Sequence, residues 1–98
     1  MNNFETLISG DKPVLVDFYA DWCRPCQAMA PILEEVKSQI GDQATIIKIN
    51  VDENHDLCER YGIQSIPTLF IFKQGQIVWQ VSGLQSRATV AAALKQFI

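Results

Sequence analysis

Val14-Leu15-Val16-Asp17-Phe18-Tyr19-Ala20-Asp21-Trp22-Cys23-Arg24-Pro25-Cys26 is the stretch that decides the fold. Its first seven residues are β-branched or aromatic for the most part, and apolar on both faces apart from Asp17, which is how a central strand reads. Two cysteines three apart then open what reads as a helix from about Arg24 to Ile40. In a first helical turn the i and i+3 side chains are neighbours, so the two sulfurs can meet. The free N–H groups and positive dipole end there favour a thiolate, the attacking species in thiol–disulfide exchange. The spacing points to a dithiol that cycles. The competing reading is a structural disulfide or half of a zinc site. Zinc takes about four ligands, and beyond the pair the chain offers only Cys58 and His55.

Working outward, Met29, Ile32, Leu33, Val36 and Ile40 form an apolar helical stripe. Pro25 fits the first turn, whereas Pro31 removes one ladder bond and predicts a kink. Upstream, Asn2 or Asn3 is a candidate cap for a short helix to about Ser9. Downstream, Thr45 to Val51 reads as a second strand, and Asn54 can cap a helix ended by Gly62. Thr68 to Lys73, a Gln74-Gly75 turn and Gln76 to Ser82 read as a β-hairpin. Ser86 can cap a last helix carrying Val90, Leu94 and Phe97. The order is αβαβαββα. The first two strands should be parallel, with the hairpin as an antiparallel edge and helices on both faces.

At 98 residues the expectation is one domain, 1–98. Apolar content of 48% with 19% charged residues describes a soluble globular chain. A net charge of −3 argues against nucleic acid as a partner. Three cysteines are too few and too odd for a secreted disulfide framework. Residues 1–12 lack a basic start and an apolar signal core, and no segment is long enough to span a membrane. A reducing cytoplasm is the expected compartment.

The chain resembles the thioredoxin family. The matching residues are Val16-Asp17-Phe18-Tyr19-Ala20-Asp21-Trp22-Cys23-Arg24-Pro25-Cys26, Ala30-Pro31-Ile32-Leu33, Lys48-Ile49-Asn50-Val51-Asp52, Tyr61-Gly62-Ile63, Ile66-Pro67-Thr68, Gly75 and Gly83. The resemblance spans about residues 4–98. It implies a three-layer α/β/α sandwich, here with a four-stranded mixed sheet because the family's additional first strand is missing. Two further departures are Arg24 for the usual glycine and Tyr19 for the usual tryptophan.

The resemblance makes Cys23 the nucleophile, at the more exposed position, and Cys26 the more buried resolving thiol. It makes Asp17 the buried acid that exchanges protons with Cys26, and Lys48 the lysine that accompanies it. Burial raises the pKa of a carboxylic acid, which suits that task. Read on its own, Lys48 is an exposed charge guarding a strand edge. Trp22, Ile66, a cis Pro67 and the flexible backbone at Gly83 would form a shallow apolar groove for extended protein segments. Pro25 and Arg24 would tune the redox properties. Arg24 either points into solvent or stabilises the Cys23 thiolate. Cys58 reads as a buried small hydrophobe and His55 as surface.

The activity implied is protein-disulfide reduction without cofactor or metal, by an electron carrier recharged by a thioredoxin-reductase-type donor. The alternatives are a more oxidising disulfide oxidase or isomerase, and a binding module whose thiols are incidental. A monomer is expected, with weak dimerisation possible through the open sheet edge.

Overall fold

The computed structural model describes residues 2–98. Strand β1 (Val14–Tyr19) is buried along nearly its whole length and forms the spine of the molecule. Helix α1 (Asn2–Ile8) precedes it, and α2 (Arg24–Ile40) follows and runs unbroken through Pro31. Then come β2 (Thr45–Asn50), α3 (His55–Arg60), β3 (Thr68–Lys73), β4 (Gln76–Ser82) and α4 (Arg87–Lys95). Single 3-10 turns at Gly41–Gln43 and Val51–Glu53 flank β2.

The sheet order is β2-β1-β3-β4. β1 and β2 are parallel, whereas β3 is antiparallel to both β1 and β4. The hairpin therefore does more than add an edge: β3 is an interior strand and only β4 lies outside. That is why Leu69, Phe70, Ile71 and Phe72 are all buried, a run without alternation. Two capping expectations also change. Helix α1 already includes Asn2 and Asn3, so neither precedes it as a cap. Asn54 makes no side-chain cap; its Nδ2 turns back and donates to the Asn50 carbonyl at 3.0 Å.

Strand alternation separates two cores. Leu15, Leu69 and Ile71 pack against Met29, Leu33 and Val36 of α2 and Val90 and Leu94 of α4. On the other face Val16, Phe18, Phe70 and Phe72 pack against Phe4 and Ile8 of α1 and Leu57 of α3. Tyr61 is the hub of this second core. Its ring lies 5.8 Å from Phe4, 6.5 Å from Phe18, 5.8 Å from Phe70 and 5.6 Å from Phe72, mostly tilted or edge-on as aromatic quadrupoles prefer. No helix among the described residues is long and apolar enough to cross a membrane.

Ser86 caps α4 as the sequence predicts, its Oγ accepting from the Thr89 N–H at 3.1 Å. Ser86→Ala should cost about 1 kcal/mol. The urea midpoint should fall while the slope of the transition stays unchanged.

Candidate active site

The site forms where the carboxyl end of β1 turns into α2. Cys23 is the N-cap residue of α2, in extended conformation with φ −91° and ψ 114°. Its carbonyl accepts the first ladder bond, from the Gln27 N–H at 3.0 Å, and its sulfur accepts the Cys26 N–H at 3.2 Å. The sulfur thus takes the place usually held by a serine or aspartate oxygen, satisfying an amide that the helix leaves free. Cys23 and Cys26 are joined as a disulfide with a Cα–Cα distance of 5.2 Å. Gln27 fastens the preceding turn by donating from Nε2 to the Asp21 carbonyl at 2.8 Å.

The two cysteines are equally buried, at 5% and 4% exposure, in a small cluster with Ala20. The expectation that Cys23 is the more exposed does not hold. Ile66 packs against this cluster, and its carbonyl oxygen lies 3.9 Å from Cys23 Sγ. The cap position still distinguishes the cysteines, because among the described residues only the Cys23 sulfur receives an amide hydrogen.

Asp17 sits mid-strand in β1 with no exposed surface, and neither carboxylate oxygen has a hydrogen-bond partner among the described residues. Burial pushes its pKa up to about 6, against a smaller lowering by the Lys48 ammonium. Asp17 and Lys48 are register partners on β1 and β2. Their charges do not form an ion pair, and the Lys48 Nζ lies 4.4 Å over the Tyr19 ring. Lys48, Tyr19, Ala30 and Cys26 line a common cavity of about 140 Å³, so the largely buried inner cysteine borders a small pocket that the Lys48 side chain also reaches.

The groove is built differently from the sequence-based sketch. Trp22 is 69% exposed, and its indole Nε1 donates to Asp52 Oδ2 at 2.8 Å. Between Trp22 and Ile66 lies a depression of about 320 Å³ that also takes in Val51, His55, Cys58 and Ile63. The Ile66-Pro67 bond is cis, as the resemblance implies. Pro67 is buried and does not line the depression. Gly83 stands behind it, donating its N–H to the Pro67 carbonyl at 2.8 Å with φ +90°, a conformation that suits glycine. Among the described residues the Ile66 N–H has no backbone partner.

Arg24 and Pro25 are exposed, and the Arg24 guanidinium has no ion pair or hydrogen bond among the described residues. Cys58 is half-buried rather than enclosed, with Sγ 4.0 Å from the Val51 carbonyl. Burial, and next the Asp52 carboxylate, push its thiol pKa up. His55 is exposed at the rim.

The thioredoxin family model matches residues 1–96. The chain belongs to the thioredoxin family. It is 51% identical to a thioredoxin of Alicyclobacillus acidocaldarius subsp. acidocaldarius over 92 residues, 94% of this chain and 88% of that one. A thioredoxin-like protein of Synechocystis sp. is 48% identical, with 98% and 92% covered. Among solved structures, a mutant thioredoxin from Halobacterium salinarum NRC-1 superimposes with a TM-score of 0.90 at 37% identity, covering 99% of this chain and 84% of that one. This thioredoxin-family chain is a thiol–disulfide oxidoreductase, and its activity is protein-disulfide reduction.

Asp52, which holds the Trp22 indole and lines the depression, is the site residue that sequence reasoning missed. It was visible only as one matching residue in the Lys48–Asp52 run. The available signal was its place just beyond the carboxyl end of a parallel strand, where open α/β sheets gather their sites.

The raised pKa of Asp17 gives stability a pH dependence of known sign. Between about pH 4 and 6 the folded chain holds a proton that the unfolded chain has lost, so stability falls as pH rises through this window. Asp17→Asn should remove that slope. The variant should be more stable by about 2–3 kcal/mol above pH 7 and no more stable below pH 4, as read by urea denaturation across pH.

Proposed function

We propose that Cys23 is the attacking thiol and Cys26 the resolving one. The observation that carries this is the Cys23 sulfur at the α2 N-cap, beside the open main chain of Ile66. In the reduced protein the Cys26 N–H would donate to a Cys23 thiolate, a charge-assisted bond that favours ionisation. The thiolate attacks one sulfur of a substrate disulfide, and the other substrate sulfur leaves as a thiolate. Cys26, once deprotonated, attacks Cys23 Sγ. The Cys23–Cys26 disulfide forms, and the substrate departs with two electrons and, after protonation, two S–H bonds.

Asp17 takes the proton from Cys26 in this scheme. Its pKa near 6 keeps it mostly ionised at neutral pH yet basic enough to accept. Lys48 acts through Asp17 as a positioning residue, lowering that pKa from the neighbouring strand. Trp22 and Ile66 form the walls of the substrate groove, with Pro67 and Gly83 fixing the Ile66 main chain from behind. The free Ile66 N–H suits main-chain pairing with an extended substrate segment. The exposed, unpartnered Arg24 fits a solvent-facing charge, with Pro25 setting the helix start.

Residues 1–98 act as one thioredoxin domain that carries electrons from a thioredoxin-reductase-type donor to disulfide-containing proteins. An unpaired Cys58 fits a reducing compartment such as the cytoplasm.

The wild type should reduce insulin disulfides well above the dithiothreitol background. Cys23→Ser should abolish turnover, and Cys26→Ser should accumulate mixed disulfides with substrate. Turnover at background would overturn the assignment.

Two readouts test the supporting residues. Asp17→Asn should slow the resolving step at pH 7 by about tenfold or more, in line with loss of a general base. Equal resolving rates in wild type and variant across pH 6–9 would exclude proton transfer by Asp17. Trp22→Ala should raise KM for insulin with little change in kcat, the pattern of lost ground-state binding.

A further inference from the structure

Among the described residues the sheet has two outer strands, and they are guarded differently. The β3–β4 ladder breaks register between Ile71 and Phe72, which places an extra residue, Val78, in β4. A bulge of this kind spoils an edge as a template. β2 pairs with β1 in unbroken register from Thr45 to Asn50 and contains neither proline nor bulge.

Its hydrogen-bonding groups divide by alternation. The Thr45 N–H donates to the Pro13 carbonyl at 3.0 Å. The main-chain groups of Thr45, Ile47 and Ile49 therefore face β1, and those of Ile46, Lys48 and Asn50 face away from the sheet. The outward Asn50 carbonyl is taken by Asn54 Nδ2 at 3.0 Å. Among the described residues Ile46 and Lys48 each keep one donor and one acceptor facing outward, and Asn50 keeps its N–H. The charge that would guard this edge is also turned inward, since the Lys48 ammonium lies over Tyr19 of β1.

We propose that β2 pairs antiparallel with β2 of a second copy of this chain, across a two-fold axis through Ile47. A two-fold axis normal to the sheet puts Ile46 of each copy opposite Lys48 of the other. The main-chain donors and acceptors of Ile46 and Lys48 then all find partners, in four hydrogen bonds. Ile47 meets its own counterpart, and Thr45 meets Ile49 on the same face. Sliding one residue pair along would set Lys48 against Lys48, and like charges directly opposite destabilise a strand pair. Two donors and two acceptors spaced i and i+2 are self-complementary, which is what an isologous interface needs. The contact is small, so the association is weak and reversible.

Sedimentation of the full chain, kept reduced by a phosphine so that Cys58 forms no intermolecular disulfide, tests this. Between about 10 µM and 1 mM the average mass should climb reversibly toward a dimer, as a weak interface requires. Amide exchange at the high end should slow at Ile46 and Lys48 while Ile47 and Ile49, already bonded to β1, stay unchanged. Ile47→Lys should weaken association about fivefold or more by placing two cations across the axis. Ile47 also packs on the core, so the wild-type exchange pattern decides the matter if that variant does not fold. A constant monomer mass up to 1 mM, or a dimer whose Ile46 and Lys48 amides exchange as fast as in the monomer, would overturn the proposal.

Discussion

The amide hydrogen that Cys26 gives to the Cys23 sulfur is the interaction on which the rest depends. A helix must leave its first amides unpaired, and something must satisfy them. Here the reactive atom itself does so. The same bond starts the helix, brings Cys26 within reach of Cys23 and provides a ready place for negative charge. The strand before it is equally constrained. β1 is flanked by β2 on one side and β3 on the other, so its carboxyl end is held rigidly and delivers the cysteines to a fixed point.

Asp17 shows the opposite balance. Two carboxylate oxygens without partners in a closed interior are costly. A stability-optimised strand would carry a valine there. Its neighbours Tyr19 and Lys48 flank the same cavity as Cys26, so the costly group lies on the reactive side of the sheet. The destabilisation and the proton chemistry arise from one cause, removal of the carboxylate from water.

Most of the fold was legible because each element carries its own punctuation. Pro25 at a helix start, Gly75 at a hairpin and Ser86 at a cap each encode a local conformation. What was not legible is what depends on distant partners. Asn54 has the chemistry of a cap but spends its amide on Asn50, a choice set by the 3-10 turn between them. Cys23 is as buried as Cys26 in a cluster that Val51 and Ile66, distant in sequence, pack against. The placement of β3 inside the sheet, too, is a matter of pairing partners, although its unbroken apolar run was a clue. Cys58 has a sequence environment like any buried cysteine, and only the approach of Trp22 and Ile66 turns it toward a groove.

The aromatic hub has a consequence for how damage would spread. Tyr61 touches Phe4 of the first helix and Phe18, Phe70 and Phe72 of two strands, and the chain that leaves it runs through Gly62 and Ile63 to Ile66. The wall of the groove is therefore moored to the amino-terminal helix through this ring, beside Leu57 and the Arg60–Glu5 ion pair. A loss of packing at Phe4, on the far core, would slacken that mooring and reach the reactive face without touching either sulfur. Close packing transmits such displacements because it leaves no slack to absorb them. In this chain the amino-terminal helix belongs to the candidate site in a mechanical sense, although none of its described residues lines the depression.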